Sequence, residues 1–191
     1  MKSLHHFIVE LPEKFKSEIS FNGGKLHLIN KFQEFEHRVN NGRIVATPKG
    51  ISDYYVGCTL YFHHHVVMEQ KYDIGENLYL VSYDRAGGYS NHSIAIEDKN
   101  DNLNMLGDWC FVLPPADSEE ETSSSGIILS IKEEPELEGV LVSLPSNSDW
   151  IGAKVGDTVG YTKDSDYSMV LKDDTKIYRM RTTELVYVKE A

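Results

Sequence analysis

Three consecutive histidines, His63, His64 and His65, form the most chemically suggestive cluster in the chain. Gly57, five intervening residues, His63, one residue, His65, three residues, Glu69, five residues and Gly75 make a spaced constellation of imidazole and carboxylate between glycines. On a β-strand His63 and His65 would share one face, and Glu69 could close on them to hold a divalent metal with coordination positions left open for catalysis. His92, which follows Gly87-Gly88, is the candidate for a remaining ligand, but its spacing is poor. The plainer expectation, which the incomplete ligand set favours, is a histidine-rich strand end or turn with His64 exposed and His63 and His65 half-buried. Imidazoles titrate near neutrality, so such a cluster could also respond to pH.

The run from Gly57 to Gly75 resembles the first metal-binding motif of cupins to within one residue, but the second motif of that family, P-x-G-x-x-H, is missing. Other catalytic signatures are weaker. The chain has no phosphate-binding glycine loop, no G-x-S-x-G elbow and no Cys-x-x-Cys pair. Asp164 with Asp166 and Asp173 with Asp174 read as polar turns, where aspartate is routine. No catalytic residue, no resident metal and no cofactor is therefore expected. Cys58 and Cys110 each sit among strand-like apolar residues, which suits buried thiols in a reducing compartment better than a disulfide.

Short strands about ten residues apart, with almost no helix, must carry these groups. In order they are Leu4 to Leu11, Arg43 to Thr47, Val56 to Phe62, Asn77 to Tyr83, Ser93 to Glu97, Met105 to Leu113, Gly139 to Val142, Lys154 to Val159, Ser168 to Leu171, Lys176 to Met180 and Leu185 to Val188. Phe32, Phe35 and Val39 are spaced like one side of a short helix that Asn40-Asn41-Gly42 ends. The order repeats. Phe7-Ile8-Val9 answers Cys110-Phe111-Val112, and Gly24 to Leu28 answers Gly126 to Leu129. Likewise Gly42 to Val45 answers Gly139 to Val142, and Val56 to Leu60 answers Val155 to Val159. This implies a tandem duplication, residues 1–100 and 101–191, joined at the polar stretch Asp98 to Asn102.

Between Met105-Leu106-Gly107-Asp108-Trp109-Cys110-Phe111-Val112 and Gly139-Val140-Leu141-Val142 lies E-E-E-T-S-S-S-G-I-I-L, residues 119–129, a polar segment with a compact aliphatic tip. Lys154-Val155-Gly156-Asp157-Thr158-Val159 and an acidic end follow. In this order the motifs resemble the GroES-like co-chaperonins: an L-G-D strand, a mobile loop with a G-I-V-L-type tip, a G-x-V strand and a V-G-D-x-V strand. The resemblance covers residues 104–191 and, more faintly, the first half. It implies an all-β chain of two tandem GroES-like, partly open β-barrels with mobile loops. It further implies a homo-oligomeric ring that caps a GroEL-like chaperonin in a nucleotide-dependent cycle. The chaperonin contacts would be Ile127, Ile128 and Leu129, with Leu26, Leu28 and Ile29 in the first half, where Lys25 and His27 interrupt the apolar tip. Phe111, Leu185, Val186 and Val188 would then be subunit contacts. Only residues 144–153 and 48–55 stand where many of these proteins carry a longer roof hairpin, a reduction resembling viral members.

Ordering about eight loop residues costs ~8 to 16 kcal/mol, whereas burying three aliphatic side chains returns ~4.5 to 9 kcal/mol. A single loop would bind weakly, and several on one ring would bind by avidity. A structural assembly protein built on the same barrels is the main alternative, and the cupin-type enzyme the lesser one. The net charge of −11 falls mostly on residues 101–191, at −10, which opposes binding to a phosphate backbone and excludes nucleic acid as an expected partner. No apolar run reaches the roughly 20 residues that span a bilayer, so a cytoplasmic protein is expected, in the host cytoplasm if viral.

Overall fold

The computed structural model describes residues 3–11, 18–27, 38–84, 91–115 and 137–189. The strands are β1 (His6–Glu10), β2 (Glu18–Phe21), β3 (Gly24–His27), β4 (Asn41–Ala46), β5 (Thr59–Phe62), β6 (Asp73–Gly75), β7 (Leu78–Ser82) and β8 (Ser93–Glu97). They continue as β9 (Leu103–Met105), β10 (Trp109–Leu113), β11 (Glu138–Ser143), β12 (Thr158–Tyr161), β13 (Tyr167–Val170), β14 (Lys176–Arg181) and β15 (Leu185–Lys189). Among the described residues the one α-helix is α1 (His65–Met68). The fold is all-β, its sheets antiparallel and none of them closed.

The first large sheet runs β6-β7-β1-β4-β5-β8-β9 and the second β13-β14-β10-β11-β12-β15. Matching β1 to β10, β4 to β11, β5 to β12, β6 to β13, β7 to β14 and β8 to β15 reproduces one strand order in both. The correspondence extends to detail. The β1–β4 and β10–β11 ladders each carry an irregularity, at Ile8/Val9 and at Phe111/Val112. Gly57 and Gly156 both have positive φ, and their amides donate to Ile44 and Leu141 carbonyls at 2.8 Å. Each sheet also wraps its own core. Phe7, Val9, Ile44, Leu60 and Phe62 are buried in the first, Cys110, Val112, Leu141, Val159 and Tyr161 in the second. Both cysteines are buried free thiols.

Three strands depart from the repeat pattern. β2 and β3 form a separate hairpin between β1 and β4. β9 adds to the outer edge of β8, with Ala95 opposite Met105 and Glu97 opposite Leu103. Residues 103–105, which a boundary at residue 100 assigns to the second half, thus extend the first sheet. The segments at 48–55 and 144–153 contain single 3-10 turns, Asp53–Tyr55 and Asp149–Ile151, and no strand. The helix expected around Phe32 and Phe35 falls outside the described residues.

The two sheets are joined by a third apolar cluster. Tyr61, Ala95 and Ile94 of the first unit pack with Trp109, Phe111, Met169 and Ile177 of the second, and the rings of Tyr61 and Phe111 meet edge to face at 6.3 Å. Beside them Tyr61 donates to Glu97 Oε2 at 2.5 Å and accepts the Lys172 amide at 3.0 Å, while Lys172 Nζ reaches Glu97 Oε1 at 3.1 Å. Burial and the Glu97 carboxylate both push the Tyr61 phenol far up, so it stays a donor.

Gly42 and Gly139 explain the paired G-x-V motifs. A Cβ on Gly139 would lie 2.5 Å from both the Leu113 carbonyl oxygen and Val112 Cγ1, and one on Gly42 3.0 Å from the Glu10 carbonyl oxygen. At Gly139 that approach leaves no room for a Cβ, while at Gly42 the neighbours need give only by a few tenths of an ångström. Gly139→Ala should therefore lower stability by about 1–3 kcal/mol and Gly42→Ala by less. Urea midpoints with unchanged m values check the order of the two.

Candidate functional site

Strand alternation decides which side chains meet at the junction of the two sheets. On β14, Met180 joins the second core, while Ile177, Arg179 and Arg181 share the opposite face, toward the first unit. On β10 the same period sends Cys110 and Val112 inward and Trp109 and Phe111 to the junction. Register places Arg179 between Phe111 on β10 and Tyr167 on β13, and Arg181 beside Trp109. The first unit contributes the end of β5. His63 continues that strand's pairing by donating its amide to the His92 carbonyl at 2.9 Å, and the chain then turns into α1.

A pocket of about 430 Å³ opens here, lined by His63, His65 and His92 from the first unit and Trp109, Tyr167 and Arg179 from the second. Arg181, Asp164 and Glu184 stand at the same opening. Arg179 is only 6 % exposed. Its guanidinium stacks over Tyr167 at 4.0 Å and near Trp109 at 4.8 Å, and among the described residues it forms no ion pair with a carboxylate. Burial brings its pKa down to about 10, so it remains charged at neutral pH. Arg181 differs: it lies over Trp109 at 3.6 Å and is paired with Asp108.

The expectation for the histidines needs correction. β5 ends at Phe62, so His63 and His65 do not alternate on a strand. His64, expected to be exposed, is half-buried, and His65, expected to be half-buried, is exposed, because the turn into α1 rotates His64 onto Tyr167. The three rings bring one nitrogen each within 4.8 Å of one another. Glu69 is exposed and bonded to Lys71 at 2.5 Å, which holds its carboxyl below the usual range.

Proton positions argue against a metal on this group. The His65 backbone N–H donates to His63 Nδ1 at 3.2 Å, so neutral His63 carries its proton on Nε2. Arg38 Nη1 donates to the Tyr167 hydroxyl at 3.0 Å, and that hydroxyl is also the hydrogen-bond partner of His64 Nδ1. His63 thus presents an N–H group where a cation needs a lone pair, His64 Nδ1 is taken up by Tyr167, and both rings face guanidinium charge. The cupin-type ligand set does not fit.

The other expected site residues are placed as follows. Leu26 is 52 % exposed on β3, and Phe21, across the same hairpin, is 60 % exposed. Leu28, Ile29, Ile127, Ile128 and Leu129 lie outside the described residues. Phe111 is fully buried against Tyr61 inside the chain, which leaves none of it for a neighbouring subunit. Leu185, Val186 and Val188 lie on β15, at the edge of the second sheet, with Val186 63 % exposed. Arg179, Trp109 and Tyr167 were not singled out from the sequence as site residues. The available signal was Arg179 two residues after Ile177 on an apolar strand, a charge where alternation demands an inward side chain.

Burial, then Arg179 and the neighbouring imidazoles, depress His63 to about 2; burial, His65, Arg38 and Arg179 depress His64 to about 4. Burial also lowers His92. Unfolded histidine titrates near 6.5, so below that pH the unfolded chain binds protons the fold refuses. Stability is full above ~6.5 and is lost as pH falls toward the folded values. Between pH 7.5 and 5 the loss should be about 1–3 kcal/mol after discounting for solvent screening of half-exposed rings. Urea titrations across that window check this, and His63→Gln should flatten the slope.

The sequence matches no protein-family model, and no curated protein matches it.

Proposed function

We propose that the chain is a non-enzymatic co-chaperonin of GroES-like type, which assembles into a ring and caps a GroEL-like chaperonin through the aliphatic tips of its loops. The observation that carries this reading is positional. In both halves a long segment is inserted at one point of the shared strand order, between β1 and β4 and between β10 and β11. Ile127, Ile128 and Leu129 belong to the second insertion. The first contains the β2–β3 hairpin, which carries Phe21 and Leu26 into solvent. Exposed apolar side chains on a projecting hairpin suit docking into a hydrophobic groove on a partner.

Ring formation has a candidate surface in β15. Its counterpart β8 is covered by β9, whereas β15 ends its sheet with Val186 and Tyr187 exposed. An uncovered edge with apolar side chains is a template for pairing with another chain. The same edge would serve a structural assembly protein, so the loops are what separate the two readings.

Capture of the chain by a GroEL-type chaperonin, with and without ATP, tests the proposal. The expected result is ATP-dependent capture that falls below detection in Ile127→Ser, Ile128→Ser, Leu129→Ser and weakens in Phe21→Ser, Leu26→Ser. Absence of ATP-dependent capture of the parent chain, or full capture of the first variant, would contradict it.

A further inference from the structure

We propose that the pocket between the two sheets binds a small monoanionic carboxylate, held by Arg179 and His63 and flanked by the Trp109 and Tyr167 rings. Such a site goes beyond the capping function. A buried guanidinium without a counter-charge is costly and rare, and buried charges are normally paired. Arg179 comes close to such a group: charged, nearly fully buried, on the wall of an open pocket, its guanidinium held against the Tyr167 and Trp109 rings, with Glu184 acting on it only at a distance and no carboxylate in ion-pair contact among the described residues. Among the described residues, three of the four buried side-chain polar atoms that lack a partner, Arg179 Nε, Trp109 Nε1 and His92 Nδ1, belong to residues lining this same pocket. The imbalance is toward donors, since the arginine and indole nitrogens can only donate.

The histidine tautomers give the pocket the same polarity. His63 carries its proton on Nε2 because its Nδ1 accepts the His65 amide. The ligand must therefore be an acceptor, and the guanidinium fork matches the geometry of a carboxylate or a phosphate. Charge chooses between them. The groups facing the pocket are Arg179, Arg181, Asp164, Glu184 and the three imidazoles. Arg181 is already paired with Asp108, and Glu184 accepts the Arg181 amide at 2.5 Å. Among the described residues at the pocket Arg179 is thus the cation without a carboxylate partner, with two carboxylates at the opening, which suits a single negative charge and repels a dianion. A volume of about 430 Å³ is in the range of small-molecule sites, and the Trp109 and Tyr167 rings offer apolar surface to the body of such a ligand.

Calorimetric titration of the full chain with sodium benzoate and sodium acetate at pH 7.5, against sodium phosphate at matched ionic strength, tests the assignment. Saturable one-to-one binding of benzoate is expected, with acetate weaker for want of ring contact and phosphate weaker than benzoate by about tenfold or more. Arg179→Met should weaken benzoate by about a hundredfold, and His63→Phe, which removes only a neutral donor, by about tenfold. Replacing a buried charge by an apolar side chain of similar length is compatible with folding. Should Arg179→Met not fold, the parent titrations and His63→Phe still decide. The proposal is overturned if neither carboxylate binds, if phosphate binds as tightly as benzoate, or if Arg179→Met or His63→Phe binds benzoate like the parent.

Discussion

The contact between the outer face of β5 and β8 and the outer face of β10 and β14 is the constraint on which the rest of the structure depends. Two sheets with one strand order and separate cores could have been beads on a string. Here Tyr61, Ile94, Phe111 and Ile177 are buried between them, and a polar network of Tyr61, Glu97 and Lys172 fixes their register. Full burial of one such apolar side chain contributes about 1.5–3 kcal/mol, so four of them outweigh the flexibility of a short linker. β9 strengthens the junction by adding to β8 immediately before the chain enters β10. The buried arginine and the histidines kept neutral sit beside this seam.

Much of the fold was legible in the sequence because its signals are local. Gly42 and Gly139 stand where a neighbouring strand passes close to where a Cβ would be, and Gly57 and Gly156 where φ is positive, so the two halves carry matching glycines. The aliphatic triplets between them are strands in both halves. Less legible were the elements whose reason is tertiary. Leu103–Met105 is a strand only because β8 offers an edge. Phe111 read as a surface for another subunit and proved to face the other half of its own chain. A signal for that existed: Leu60-Tyr61-Phe62, Ile94-Ala95-Ile96 and Trp109 to Val112 are unbroken apolar runs, the mark of strands buried on both faces.

The histidine cluster shows why composition alone misleads about chemistry. Three consecutive imidazoles invite a metal, but ligation needs lone pairs, and the His65 amide has already claimed that of His63 Nδ1 while Tyr167 engages His64 Nδ1. The guanidinium groups of Arg38 and Arg179, far away in sequence, set the local charge and favour an acceptor. Strand alternation on β14 and register with β10 and β13, rather than any linear motif, assembled that environment.

If the seam makes one body of two repeated units, unfolding must be a single event. Differential scanning calorimetry of the full chain at pH 7.5 tests this directly. The account predicts one transition in which calorimetric and van't Hoff enthalpies agree. Two resolved transitions, or a van't Hoff enthalpy near half the calorimetric one, would mean that each sheet melts on its own core and that the seam does not bind them.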